Sequence, residues 1–429
     1  MITLVVIVTL ILATSKSKYK NIQTLDLVNG TINYTPADID LVAIQIENET
    51  GEYEATSIVP VSGYILSDKS YCNVNGAKDT SIKLSYVNGS VSINDISKKV
   101  KCYLYFDKYS AIDKIIGDNT SIEEKTEFTG IATSADTGIY SAPDDYGTSY
   151  YFRGLEGSLN NWVKFADSYW RIIRINGNGT IRMIYAGAAS GAVSNSNKTG
   201  DTTSIGTSMY NHTKNDNAYV GYMMGLSLNG TTQTANTTTG NSTSYSGAHS
   251  NTYNSDAKQQ IDGWYKTNIV DKGYENYIDI NTGFCNDRQL DKTYLTDYAG
   301  DGYGVQTSTY APAGRIDQEQ RKTTLTPILQ CTNKERDLFT HTSASTGNKK
   351  LTYPIGLITG DELIFAGTFG GIRGSSTFYL KTNQGYWTMS PDTYSNSAAA
   401  SYVFYLMPNG CFFSAPTTST YGLRPVINL

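Results

Sequence analysis

Charge is scarce in this chain, and histidine scarcer. Asp, Glu, Lys and Arg make up 17% of it, the net charge is −5, and there are 3 histidines. Without a basic excess, the electrostatic footprint of a nucleic-acid partner is missing. His212, His249 and His341 have no metal-ligand spacing with one another or with cysteine, so they read as surface residues rather than a zinc site. A Gly-x-Ser-x-Gly elbow, a phosphate loop and a dinucleotide fingerprint are all absent. One stretch, Asp297-Tyr298-Ala299-Gly300-Asp301-Gly302, has a faint look of a calcium loop, with carboxylates at Asp297 and Asp301. Ala299 stands at its middle acidic position and no bidentate Glu follows, so a solvated turn is the competing reading. No other cofactor is expected.

Long apolar runs are lacking too. The run over residues 2–13 is shorter than the roughly 20 residues a membrane span needs, and it suits a signal-peptide core. Ala13-Thr14-Ser15 supplies small residues for cleavage. Lys16, Lys18 and Lys20 follow the run instead of preceding it, which leaves a retained membrane anchor at residues 1–15 as the alternative. Either way the chain is expected outside the cytoplasm, secreted or at the cell surface.

Cysteines number 5. Val100, Cys102, Leu104 and Phe106 alternate with polar or tyrosine positions, which puts Cys102 on a buried strand face. A Cys72–Cys102 bond would stabilise by about 3–4 kcal/mol through loop closure. Cys285 and Cys331 offer a second bond, and Cys411 is left over, expected buried and inert.

What is abundant is tyrosine, 34 residues against 12 Phe and 4 Trp. With plentiful Gly, Asn, Ser and Thr this composition suits a rigid amphipathic contact surface, or equally the faces of an extracellular β-sheet protein.

The length of 429 residues allows two or three domains. Residues 26–106 read as a small all-β, immunoglobulin-like sandwich: Val42, Ile44 and Ile46 alternate with polar neighbours, as do Ile82, Leu84 and Tyr86. Residues 107–146 read as a linker and 147–429 as the large domain. There, residues 163–175 and 180–185 form a hairpin around Asn176-Gly177-Asn178-Gly179. Residues 186–254 read as long polar loops. Ala257, Ile261, Trp264 and Tyr265 recur at helical spacing behind a Ser255 or Asp256 cap, which predicts a helix over 255–270. Thr359-Gly360-Asp361-Glu362 is a capping box, and residues 333–339 predict another short helix. Sparse helices among antiparallel strands give the class α+β.

Two further motifs carry a resemblance. Gly385-Tyr386-Trp387-Thr388-Met389-Ser390-Pro391 is followed at the C-terminus by Gly422-Leu423-Arg424-Pro425-Val426-Ile427-Asn428-Leu429. Upstream, Tyr150-Tyr151-Phe152-Arg153-Gly154 precedes Tyr169-Trp170-Arg171-Ile172-Ile173-Arg174-Ile175-Asn176-Gly177. Together these resemble an uncharacterised Firmicutes surface domain. They also resemble the C-type-lectin-like fold shared by formylglycine-generating-enzyme-like domains and by the hypervariable receptors of diversity-generating retroelements.

The resemblance implies one antiparallel sheet holding both the Trp387 strand and the chain terminus. Between them it implies a ligand face over 392–421, with Tyr394, Asn396, Tyr402, Tyr405, Phe412, Phe413 and Tyr421 as its candidates. Arg153, Trp170, Trp387 and Arg424 would be structural. The sugar-binding Glu-Pro-Asn or Gln-Pro-Asp tripeptide and the paired redox cysteines of that group are absent here. The function expected is therefore adhesion or binding of a protein or carbohydrate at a bacterial cell surface. A hydrolase or oxidase is the alternative, and it requires Asp287, Arg288, Asp361 or His341 to converge in a pocket. A self-assembling surface subunit is the third reading.

Overall fold

The structure is a computed structural model. It describes residues 23–429 except 28–29, 35–38, 49, 61–62, 88, 97–98, 110–112, 114–116, 118, 120, 189–202, 226–241, 292–299, 318–322 and 372–376. The expected leader at 1–15 lies outside the described residues, as does Asp297. The chain divides into two compact units, Met1–Asp118 and Asn119–Leu429. Among the described residues no helix is long and apolar enough to cross a membrane.

The first unit has two sheets. One orders its strands Gln23–Leu27, Gly30–Tyr34, Ser90–Asn94, Lys83–Val87. The other runs Tyr53–Thr56, Ile39–Glu47, Val100–Lys108, Tyr71–Val74, Ala77–Lys78, with Tyr64–Leu66 also on Val100–Lys108. Val91 and Ile93 from the first sheet share one core with Ile44, Cys102, Leu104 and Phe106 from the second. The alternation around Cys102 is as strict in space as in sequence: Val100, Cys102, Leu104 and Phe106 are buried while Lys101 is exposed and Tyr103 and Tyr105 are half-buried. An immunoglobulin arrangement is not what results. Ile39–Glu47 lies parallel to Val100–Lys108, and Gly30–Tyr34 parallel to Ser90–Asn94. The Cys72–Cys102 disulfide joins directly opposed residues of neighbouring strands in one sheet, whereas the immunoglobulin bond crosses between sheets.

The second unit begins earlier than expected. Residues 119–146 are not a linker: Glu124 bridges to Ser141, Phe128 to Leu325, and Gly138–Asp144 is an edge strand on Gly147–Arg153. Pro143 can sit in that strand because an edge leaves one row of N–H groups without a ladder partner. The first sheet continues through Ser168–Ile175 and Ile181–Ala188 to Val426–Asn428, with Trp162–Phe165 also on Ser168–Ile175. The second sheet orders Thr207–Met209, Thr420–Gly422, Tyr386–Ser395, Ala400–Leu406, Phe412–Pro416, with Ser308–Thr309 on Tyr386–Ser395.

The Trp387 strand and the chain terminus therefore occupy different sheets, contrary to the expectation of a common one. Thr420–Gly422 touches the Trp387 strand through a single parallel bridge, Tyr386 to Gly422. Four residues later Val426–Asn428 pairs antiparallel with Ile181–Ala188. Pro425 has no N–H with which to continue the first ladder, so the switch of sheets falls at a residue that cannot hold the old pairing.

Among the described residues strand makes up 38% and helix 15%, so the chain is β-rich and the α+β class is corrected. The capping signals do start helices, but those helices are short connectors and do not set the class. Asp256–Tyr265 has 10 residues, begins at Ser255, whose side chain accepts from the Lys258 N–H, and passes into one π-turn at Lys266–Val270. Gly360–Ala366 has 7 residues and the full capping box of Thr359 and Glu362. Residues 333–339 hold only the 4-residue helix Lys334–Asp337, followed by the strand Leu338–Phe339.

The strand expected over 163–175 is really a hairpin. Phe165 and Ser168 close a two-residue turn in which Ala166 and Asp167 take φ of 48° and 55°. Asp167 is a common turn residue, but Ala166 is not and no Asn-Gly or Asp-Gly pair marks the turn, which is why the break escapes a reading based on Asn and Gly. Asp167→Gly should raise the unfolding free energy by about 1 kcal/mol, since glycine removes the left-handed penalty. The ion pair between Asp167 and Lys272 is 3.4 Å long and exposed on both sides, so its removal should count for little. Urea midpoints of the two proteins would show this; an unchanged or lowered midpoint would contradict it.

Candidate functional site

The expected ligand face divides into parts that can and cannot meet a partner. Tyr394 is fully buried and its hydroxyl donates to the Asn215 carbonyl at 3.2 Å. Phe412 is 1% exposed, stacks on Phe404 with centroids 4.7 Å apart, and has Gly370 and Gly371 bridged to its backbone. Both are core, and the expectation of ligand contact is corrected for them. Asn396 is exposed in the turn after the Trp387 strand, with its N–H donating to Thr307 Oγ1. Tyr402 is half-buried and, three residues from Tyr405 in an unbroken ladder, faces the other side of the sheet.

Tyr405, Phe413 and Tyr421 belong together. Tyr405 and Phe413 are directly opposed across neighbouring strands, and Trp387 opposes Tyr405 from the other side. Tyr405 and Tyr421 stack at 4.0 Å, and Trp387 meets Tyr421 edge-on at 4.9 Å. Trp387 itself is buried and its Nε1 donates to the Ser208 carbonyl at 2.9 Å, so it acts as a fixed base. Above it Phe413 and Tyr421 are half-buried and Tyr405 is 9% exposed. Burial first, then the neighbouring Tyr421 hydroxyl, pushes the Tyr405 hydroxyl up, so it stays a neutral donor. The result is a short aromatic strip in which Trp387, Tyr405 and Tyr421 hold one another by ring contact and Phe413 lies opposite Tyr405.

A second arrangement is ionic. Asp287 and Asp361 do converge on one cavity, of about 20 Å³, large enough to hold one ordered water. Arg315 lies between them, its Nε and Nη2 on Asp361 at 2.6 and 2.9 Å and its Nη1 on Asp287 at 2.7 Å. Behind it Glu362 accepts from Arg182 and from Arg174 Nε at 3.2 Å, while Arg174 Nη1 reaches Asp144 at 2.6 Å. Burial pushes the Glu362 carboxyl up, but Arg182, Arg174 and the Thr359 N–H outweigh it and hold the group below the ordinary range. At the same cavity Asp145 is raised by burial against the pull of Lys334 and the Cys331 N–H.

The capping box thus has a second use, since the Glu362 that caps the helix also fastens it to the first sheet. Nothing in the local sequence marks the partners, which lie 180 and 188 residues away. Each of Asp287, Asp361 and Glu362 is committed to a guanidinium, which suits a clamp better than acid–base chemistry.

Arg288 and His341 do not join this cavity lining. Arg288 is buried on Asp337, with Nε to Oδ1 at 2.9 Å, and on Asn251 at 2.8 Å. His341 accepts from the Ser343 N–H. His249 is not a surface residue: it is 1% exposed, its Nε2 faces the Gly302 carbonyl, and burial holds it well below the usual imidazole range. His212 sits on Asp256 at 2.9 Å. Among the described residues no group of His, Cys, Asp or Glu is arranged to hold a metal ion, and Asp301 is exposed. Two disulfides, Cys72–Cys102 and Cys285–Cys331, are present, and Cys411 is buried outside them.

Fold and site together define a β-rich, disulfide-bonded protein of two units, with an aromatic strip and an ionic clamp in the larger one. Neither family models, nor curated proteins, nor solved structures yield a match to this chain.

Proposed function

We propose that this is an exported cell-surface binding protein that recognises a glycan or protein through the strip formed by Tyr405, Phe413 and Tyr421. The observation that carries the reading is the interlocked stack on buried Trp387, with Tyr405 and Tyr421 4.0 Å apart. Rings held this way lose little freedom on binding and offer both an apolar face and a hydroxyl, the combination that favours tyrosine in recognition surfaces. Two disulfides support an oxidising compartment. Asn396 and Tyr402 fall outside the strip, so they are not part of this proposed contact.

Screening the full chain on glycan and surface-protein arrays should return a ligand. The Phe413→Ala/Tyr421→Ala double variant should then bind at least about tenfold more weakly, in keeping with loss of two aromatic anchors. Circular dichroism should show the fold retained, since both rings are only half-buried. Undiminished binding by the double variant would remove the strip from consideration.

A further inference from the structure

Arg171 and Arg424, one from each of the two sequence motifs of the large unit, are both buried. Arg171 is 1% exposed, with its guanidinium 4.3 Å from the Trp162 ring and 5.1 Å from the Tyr379 ring. Its Nη1 reaches Glu156 at 3.4 Å, but among the described residues Nε and Nη2 have no hydrogen-bond partner. The buried Tyr379 hydroxyl has none either. Nε–H and Nη2–H project in parallel from one edge of the guanidinium. That same edge of Arg315 grips both oxygens of Asp361 elsewhere in this unit.

Charge points the same way. Arg424 is buried, donates from Nη1 to the Leu380 carbonyl beside Tyr379, and its charge bears on Arg171. Among the described residues the ion pair of Arg171 is with Glu156, which is 29% exposed. The ionic clamp is the opposite case: Arg174, Arg182 and Arg315 meet Asp144, Asp287, Asp361 and Glu362. A buried cation with an unmet fork and too little counter-charge is complementary to an anion carrying two parallel acceptors.

We propose that Arg171, backed by Arg424 and packed against the Trp162 and Tyr379 rings, is a binding site for a single carboxylate, taken side-on by Nε and Nη2. Both rings lie against the guanidinium, and Nε and Nη2 are its buried donors without a partner among the described residues. The carboxylate could come from a small free acid or from an acidic sugar, and size separates the two.

Sodium formate and sodium glucuronate, titrated into the full chain at constant ionic strength and followed by tryptophan fluorescence and thermal midpoint, test the site. Saturable binding of formate is expected. Glucuronate binding at least as tightly would identify an acidic sugar as the source, and formate alone would identify a small acid. Arg171→Lys keeps the charge but not the fork, and should weaken formate at least tenfold.

If that variant does not fold, Glu156→Gln serves instead. It removes the competing charge at a partly exposed position and should tighten formate by about threefold. The proposal fails if neither acid binds saturably to the wild-type protein. It fails equally if Arg171→Lys binds formate as the wild type does, or if Glu156→Gln leaves affinity unchanged. Density for ordered water alone along the Nε–Nη2 edge, in crystals grown in formate, would also overturn it.

Discussion

Replacing Glu362 with glutamine should cost the large unit about 3–5 kcal/mol, the range for breaking a buried ion pair from one side. Arg174 and Arg182 would remain buried, 5% and 1% exposed, with half their counter-charge gone. Glutamine preserves much of the shape and can still accept at Thr359, so the loss measures charge rather than packing or capping. Its pH dependence has a definite sign. Glu362 in the folded protein lies below the ordinary carboxyl range, so its contribution is complete above the unfolded value of about 4.3. It declines as pH falls through the lower folded value.

Wild type and Glu362→Gln should therefore differ most at neutral pH and converge in strong acid. Asp145, raised by burial, works the other way in both proteins and does not alter the difference. Urea titrations between pH 7 and 3 would show the convergence. A gap that is small at pH 7, or constant with pH, would mean that Glu362 is not charged where it lies.

The second large effect belongs to the small unit. Removing the Cys72–Cys102 bond by changing both residues to alanine should cost about 4 kcal/mol from loop closure alone, given their separation of 30 residues. Among the described residues the core that would have to compensate includes ten buried residues, two of them these cysteines, and a unit of this size has a small margin. The double variant should show an early unfolding transition in urea, followed by one at the unaltered position for the large unit. Coincident, unshifted transitions would show that the bond adds nothing to the small unit's stability.

The features that are legible in the sequence are those decided within a few residues. Thr359 and Glu362 cap a helix because their side chains reach backbone N–H groups three residues away, whatever surrounds them. The alternation through Cys102 fixes which face of its strand is buried. The hairpin at Ala166 and Asp167 is hidden because alanine, unlike aspartate, enters the left-handed region only where the closed geometry forces it. The candidate ligand residues divide for a related reason. Alternation orders side chains onto two faces, but it does not say which face a second layer covers, and Phe412 and Tyr394 are covered.

Composition, period and spacing thus determined by themselves that this chain makes short strands and a few capped helical turns. These follow from local sterics and hydrogen bonding, and from the burial of alternating apolar residues. Only the tertiary structure decided that the final strand leaves the Trp387 sheet for another. It likewise decided that Glu362 joins a helix to arginines far away in the chain, and that Arg171 keeps an unmet fork against two rings. Each of these depends on contacts between segments more than a hundred residues apart, and no local preference encodes which distant partner a strand edge or a buried charge will meet.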